Sequence, residues 1–417
     1  MRDFILLFIL IIASLGNSIA QKECASYNYY LQQSLGNPVL VQRMEDIESF
    51  IQNRLFSNEP RMSPAGFTGN GMAVITIPVV VHVLYNSDDQ KITEEQVRTQ
   101  VEVLNRDFRK LNPGAINLPD YFKPVAADCF IEFNLATVDP GGKPSRGIIW
   151  KKTGNSSFGS DDKIKFSKTG GDDAWDPAKY LNIWVGKLSP GIVGYSSAPG
   201  SVKEKDGIVL RYTAFGTTGT VLSPYNLGRT AVHETGHWLG LKHIWGDRYC
   251  GDDGITDTPP QKGPTPGCPS GISASCDNAA SGSMYMNYMD VTHDACTEMF
   301  TNGQRDRMRA MFADGGPRHG FVSSSAGQGP LLPAQLPTDT ISSLAFRIFP
   351  NPANQVVTLK TADLVTGNIT IHNQLGQIVM QSYINSTSMQ LNIGALQNGI
   401  YFIRIGAKGK MYKLVKG

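Results

Sequence analysis

Thirteen residues, Ala231 to His243 ("AVHETGHWLGLKH"), hold three of the chain's seven histidines together with a glutamate. His233 and His237 stand four apart, so on a helix they lie one turn apart on one face and offer two imidazoles to one ion. Glu234 is then placed to take a proton from a water that the ion polarises. A catalytic zinc site uses three protein ligands and leaves a position open. Gly240 is a natural helix end, because glycine readily adopts the left-handed conformation, and the turn there brings back His243 as the third ligand. The bare His-Glu-x-x-His pattern also fits a surface helix with polar side chains. Gly240 and His243 tip the balance to one catalytic zinc ion.

Further along, "GSMYMNYMDVTHDACTEMF" carries Met289, whose expected role is packing beneath the histidines. "CGDDGITDTPP" gathers acidic side chains around Gly254, and Asp253, Asp257 and Thr258 are candidate ligands for a structural calcium ion, which takes oxygen donors. The alternative is a solvated acidic turn. Of six cysteines, Cys250, Cys268, Cys276 and Cys296 cluster after the histidines and allow three pairings, whereas Cys24 and Cys129 stand alone. Cys24 has two readings: a thiolate that holds the zinc site silent in a zymogen, or a disulfide with Cys129.

The histidine motif, Met289 and the four cysteines together resemble the pappalysin family of metzincin zinc endopeptidases, over roughly 72–315. The resemblance implies an α+β, two-lobed metalloprotease domain: a mixed twisted sheet with backing and active-site helices above a cleft, and an irregular lower lobe. It implies His233, His237 and His243 as zinc ligands, Glu234 as general base and acid, and Met289 as the turn methionine. It also implies the pairs Cys250–Cys276 and Cys268–Cys296. Relatives commonly have Tyr two residues after the methionine, where this chain has Val291; Tyr288 and His293 are the candidates to replace it. In metzincins the segment after the methionine walls the pocket for the residue following the scissile bond. Asp294 would there select Arg or Lys, its other possible role being to cap the following turn.

These groups need a scaffold, and 417 residues supply more than one domain. "MRDFILLFILIIASLGNSIAQ" reads as a signal peptide, 1–20, rather than a membrane anchor. Residues 21–60 read as a propeptide that ends in a linker dense in Pro, Gly and Ser. "AVITIPVVVHVLYN" then predicts a buried strand, and "KITEEQVRTQVEVLNRDFRKLN" a helix behind a Thr93–Gln96 capping box. "CFIEFNLATVDPGG", "YLNIWVGKL" and "DGIVLRYTAFG" predict three more strands. The protease domain is expected over 61–322, with a substrate lying along an edge strand near "VGYSSAPG".

A Ser/Pro/Gly-rich linker, 323–342, precedes about seven short alternating runs that predict a small all-β sandwich over 343–417. "FRIFPNPANQVVTLK", "NQLGQIVM" and "LQNGIYFIRIGAKGKMYKLVKG" resemble the C-terminal sorting domain of type IX secretion in Gram-negative bacteria. That implies export to the cell surface or medium by this machinery. A net charge of +2 and 18% charged residues argue against a nucleic-acid partner, and no further stretch is long and apolar enough for an integral membrane segment. The reading is a secreted zinc endopeptidase made as a zymogen, acting on protein or peptide substrates, with autolytic maturation at Pro60–Arg61. The rival is a surface adhesin or binding protein with a non-catalytic metal site.

Overall fold

The computed structural model describes residues 23–56, 72–276, 278–322, 347–373, 378–405 and 411–417. The signal peptide, the Pro60–Arg61 bond and the 323–342 linker expected from the sequence lie outside these residues. The chain divides into two units, Met1–Pro330 and Leu331–Gly417.

The first unit is built on a seven-stranded sheet. Its strands are β1 (Glu23–Cys24), β2 (Ile75–Tyr85), β3 (Ile131–Leu135), β4 (Ile148–Lys152), β5 (Leu181–Gly186), β6 (Ile192–Ser196) and β7 (Ile208–Arg211). The order is β1-β6-β7-β5-β2-β3, with β4 also on β2. β2 is central and buried along nearly its whole length, as its β-branched run requires, and it pairs in parallel with β3, β4 and β5. Pro78 is tolerated there because its missing N–H would face β5, whose pairing begins only at Val79. β6 runs antiparallel to β7, and β1 pairs with β6 in parallel. β6 is the edge strand expected near "VGYSSAPG", whereas β1 and β4 were not among the strands expected.

Five helices complete the unit: α1 (Ser26–Ser34), α2 (Pro38–Phe56), α3 (Glu94–Phe108), α4 (Arg229–Trp238) and α5 (Asn302–Ala310). Thr93 caps α3 by accepting the Gln96 N–H, yet the expected capping box is not closed. The Gln96 amide instead donates to Tyr212 O, Phe215 O and Thr220 Oγ1, binding the segment after β7. A reciprocal capping box does occur at α5, between Thr301 and Gln304.

Side chains on one face of the sheet, such as Val81, Ile183 and Leu210, join Leu104, Phe108, Val232 and Trp238 in the main core. The other face carries Leu84, Trp184, Tyr195 and Val209, covered by Phe158, Leu188 and Tyr29. The N-terminal segment is therefore not a detached lobe: it adds β1 to the sheet, Tyr29 to one core and Ile51 to the other. Both disulfides, Cys250–Cys276 and Cys268–Cys296, are formed, and Cys24 and Cys129 are free.

The second unit is all-β. The seven expected runs fall in five strands: β8 (Arg347–Phe349), β9 (Val356–His372), β10 (Ile378–Asn392), β11 (Gly399–Ile405) and β12 (Met411–Lys416). "QVVTLK" and "NITIHN" share β9, and "QIVMQSY" and "SMQLNI" share β10, because the ladder continues through the polar residues between them with only a register shift at Ser386/Ser388. β8 takes one half of β9 and β11 the other, around a core that includes Leu359, Ile371, Ile403 and Leu414.

Candidate metal centre

α4 enters behind Gly228, in the left-handed region at φ +77°, and all ten of its residues are buried. It ends at Trp238, and Gly240, at φ +86°, turns the chain back. Each histidine has its Nδ1 engaged: His233 with Tyr288 O at 2.7 Å, His237 with Leu241 O at 2.9 Å and His243 with the Asp247 carboxylate at 2.5 Å. All three acceptors are oxygens, so Nδ1 carries the proton and each Nε2 presents a lone pair. The His237 Nε2 lies 3.1 Å from that of His233 and 3.2 Å from that of His243. Cys24 Sγ lies 3.6 Å from His237 Nε2, and the four ligand atoms all fall within 4.8 Å of one another.

This donor set fits zinc. Ligands about 2.0–2.1 Å from a tetrahedral centre stand roughly 3.3 Å apart, close to the Nε2 separations, and three converging lone pairs repel unless a cation lies between them. Burial and the neighbouring imidazole of His243 push His233 down to about 3 and His237 well below the usual histidine range, so both stay neutral as ligands must. Trp245 stacks on His243 with ring centroids 4.4 Å apart.

Glu234 faces β6, and a side chain at Gly194 would come within 3.1 Å of its Cγ. Burial pushes its carboxyl up to about 7. Its Oε2 accepts the Ser26 hydroxyl at 2.8 Å, while Oε1 is buried without a partner. Met289 is fully buried beneath α4, where a Cβ on Gly236 would lie 2.5 Å from its Sδ. The Asn287 side chain accepts the Met289 N–H and exchanges hydrogen bonds with Gln304 on α5, fixing this turn.

A cavity bordered by Cys24, His233 and Glu234 is lined further by Val193, Thr230, Tyr288, Val291, Asp294 and Thr297. Asp294 does act as a cap, but on the start of α4 rather than on the following turn. Its Oδ2 accepts the Leu227 N–H at 2.7 Å and the Arg229 N–H at 3.3 Å, and burial pushes it up to about 6. Arg229 lines the same cavity with its charge already matched by Asp107 and Glu298. Of the residues considered at the Val291 position, Tyr288 packs its ring on Phe300 and His293 meets Tyr225 edge-on.

Among the expected calcium ligands, Asp253 Oδ1 accepts the Thr258 hydroxyl at 2.7 Å, and Asp253 Oδ2 is buried without a partner. Burial pushes the carboxyl up to about 7. That orphaned oxygen suits a cation. Asp257 accepts the Thr301 hydroxyl and the Gly303 N–H at the start of α5. The sequence reading missed Asp247, Ser26 and Gly236. Only Asp247 carried a local signal, a carboxylate four residues after a ligand histidine, suited to orient it.

The family described as pregnancy-associated plasma protein-A matches residues 165–313, and the secretion system C-terminal sorting domain matches residues 347–416. An extracellular metalloprotease of Coccidioides posadasii is 31% identical over 263 residues, 60% of this chain and 82% of that protein. One from Colletotrichum graminicola is 33% identical, over 58% of this chain and 77% of that protein. Among solved structures, mature mirolysin of Tannerella forsythia in complex with a cleaved peptide is 44% identical, with a TM-score of 0.60, over 62% of this chain and 98% of that one. A promirolysin mutant of the same organism is 40% identical, with a TM-score of 0.65, over 73% of this chain and 97% of that one. Among the described residues no helix is long and apolar enough to cross a membrane.

Proposed function

The chain belongs to the pregnancy-associated plasma protein-A family and is a secreted metalloendopeptidase, and from that premise we propose that His233, His237 and His243 hold its zinc, Glu234 moves the protons, and the N-terminal segment keeps the enzyme latent. The observation that carries this reading is the convergence of three Nε2 lone pairs, that of His237 3.1 Å and 3.2 Å from the other two, with every Nδ1 bonded elsewhere. Bound there, zinc supplies a Lewis acid that acidifies water and polarises the substrate carbonyl. Glu234, adjacent to His233 on α4, can accept a proton from the attacking water and return it to the leaving amine. Met289 sets the floor under α4, and Asp247 orients His243.

Latency follows from three contacts. Cys24 brings its thiol to the imidazoles as a fourth ligand, Ser26 occupies the Glu234 carboxylate, and β1 takes the edge of β6 where a substrate strand would lie. The longer match to promirolysin than to mature mirolysin supports a propeptide at the N-terminus. Removal by cleavage at Pro60–Arg61 would free the cleft. Asp294 then selects Arg or Lys just after the scissile bond; both of its backbone bonds fall on Oδ2, which leaves Oδ1 for an incoming cation. Asp253, with its unpartnered Oδ2, Thr258 and Asp257 are the candidate ligands of a structural calcium ion. The C-terminal unit addresses the chain to the type IX secretion machinery.

The test is Glu234→Ala in the activated enzyme. Casein cleavage should fall by about 10²–10⁴-fold while one zinc per chain remains by metal analysis. Cleavage at the wild-type rate would overturn the reading.

A further inference from the structure

Tyr29, on α1, is seated on the outer face of the sheet beyond the Ser196 end of β6 and is 1% exposed. Its hydroxyl donates to Asp162 Oδ1 at 2.7 Å and accepts from Lys165 Nζ at 3.3 Å. Its ring lies 4.9 Å from that of Tyr195, and the buried Lys165 ammonium stands within 4.9–5.6 Å of the Tyr29, Tyr195 and Trp184 rings. The pocket that Tyr29 fills is walled by the enzyme portion, save Ala25 and Tyr30 at its margin and Gln33, which accepts from Lys205 Nζ at 3.0 Å. Lys165 pairs with Asp162 at 3.0 Å and donates to the Lys205 carbonyl at 2.9 Å, and Lys205 Nζ pairs with the other Asp162 oxygen at 2.9 Å. Two ammonium groups and one carboxylate of the enzyme portion thus surround the place that the Tyr29 hydroxyl fills, with Tyr29 as a plug. A site shaped around a phenol and holding a buried acceptor for its hydroxyl discriminates strongly against a side chain lacking that group.

We propose that this cavity is a substrate subsite, which takes a tyrosine side chain of the peptide about three residues before the scissile bond once the N-terminal segment has left. The inference rests on the latent-precursor reading above. Its side is set by β6: Val193, toward the other end of the strand, lines the cavity that holds Asp294, assigned above to the residue after the bond. The Ser196 end therefore faces the residues before it. The position comes from reach. From Cys24 at the imidazoles to Tyr29, two extended residues and three helical ones advance about 11 Å, the span of roughly three residues of an extended substrate.

The experiment uses activated full-length enzyme whose intact mass shows that residues 23–56 are gone. Fluorogenic peptides sharing one scissile bond carry Tyr, Phe or Ala at each of four positions on either side. Tyr should exceed Phe by at least about tenfold in kcat/KM at the third position before the bond, with no such ratio after it. Asp162→Asn should bring that ratio near one, and the ratio is its own control for a partly damaged variant. A wild-type profile indifferent to Tyr and Phe before the bond overturns the proposal whether or not the variant folds. An active species that retains residues 23–56 by mass overturns the latency reading instead, and the subsite with it; the two failures are read by different instruments.

Discussion

Arg307 ties the N-terminal segment to the zinc turn, and replacing its partner by Glu48→Gln should loosen that segment measurably. Arg307 Nε donates to Gly240 O at 2.7 Å, and its two terminal nitrogens grip both Glu48 oxygens. Hydrogen bonds from Arg307 hold the Glu48 carboxyl down to about 2, against an ordinary 4.5. That difference corresponds to about 3.4 kcal/mol. The Glu48 side chain is 37% exposed, so water screens the pair and a realistic contribution is about 1–2 kcal/mol, or roughly five- to thirtyfold in docking. The assay is inhibition of activated enzyme by the added segment 21–60, whose inhibition constant should rise by that factor. A depressed carboxyl stabilises fully above its ordinary pKa and loses that effect as pH falls toward the depressed value. In thermal unfolding of the precursor, the gap between wild type and Glu48→Gln should therefore be full at pH 6, shrink below about 4.5 and close near 2. An inhibition constant within twofold of wild type, or a gap independent of pH, would refute the reasoning.

Cys24→Ser should give a precursor that cleaves peptides before any processing, because a hydroxyl is a far poorer zinc ligand than a thiolate; the cobalt-substituted wild-type precursor should show a thiolate charge-transfer band that the variant lacks, and a fully latent variant with the band intact would count against the switch. Asp294→Asn should lower the preference for Arg and Lys after the scissile bond by at least about tenfold while costing less than about 1 kcal/mol in unfolding, since asparagine still caps α4. An unchanged preference would leave Asp294 as a cap alone.

The convergence of His233, His237 and His243 was legible because helical spacing and one glycine turn are local facts, carried by thirteen residues. Met289 was legible as a demand of the same pattern. Strands with long β-branched runs, such as Ile75–Tyr85, announced themselves; Glu23–Cys24 did not, because its place depends only on pairing with β6. Ser26 is 208 residues from the carboxylate it meets, and Tyr29 is 133 from Asp162. No periodicity encodes such contacts. Thr93 was read correctly as a cap, whereas Gln96 was misread because a buried amide prefers three acceptors on another loop to one N–H on its own helix. In the C-terminal unit, polarity was taken for turns where the backbone simply continued its ladder.

A helix with no solvent-facing side has no surface along which to fray, and α4 is buried on every side from Arg229 to Trp238. Its amide protons should therefore be among the slowest of the unit to exchange with water in the precursor. The three imidazoles are likewise anchored through Tyr288, Leu241 and Asp247 rather than through an ion. Each ring thus takes its tautomer and its direction from the protein, with Nε2 turned toward the common centre.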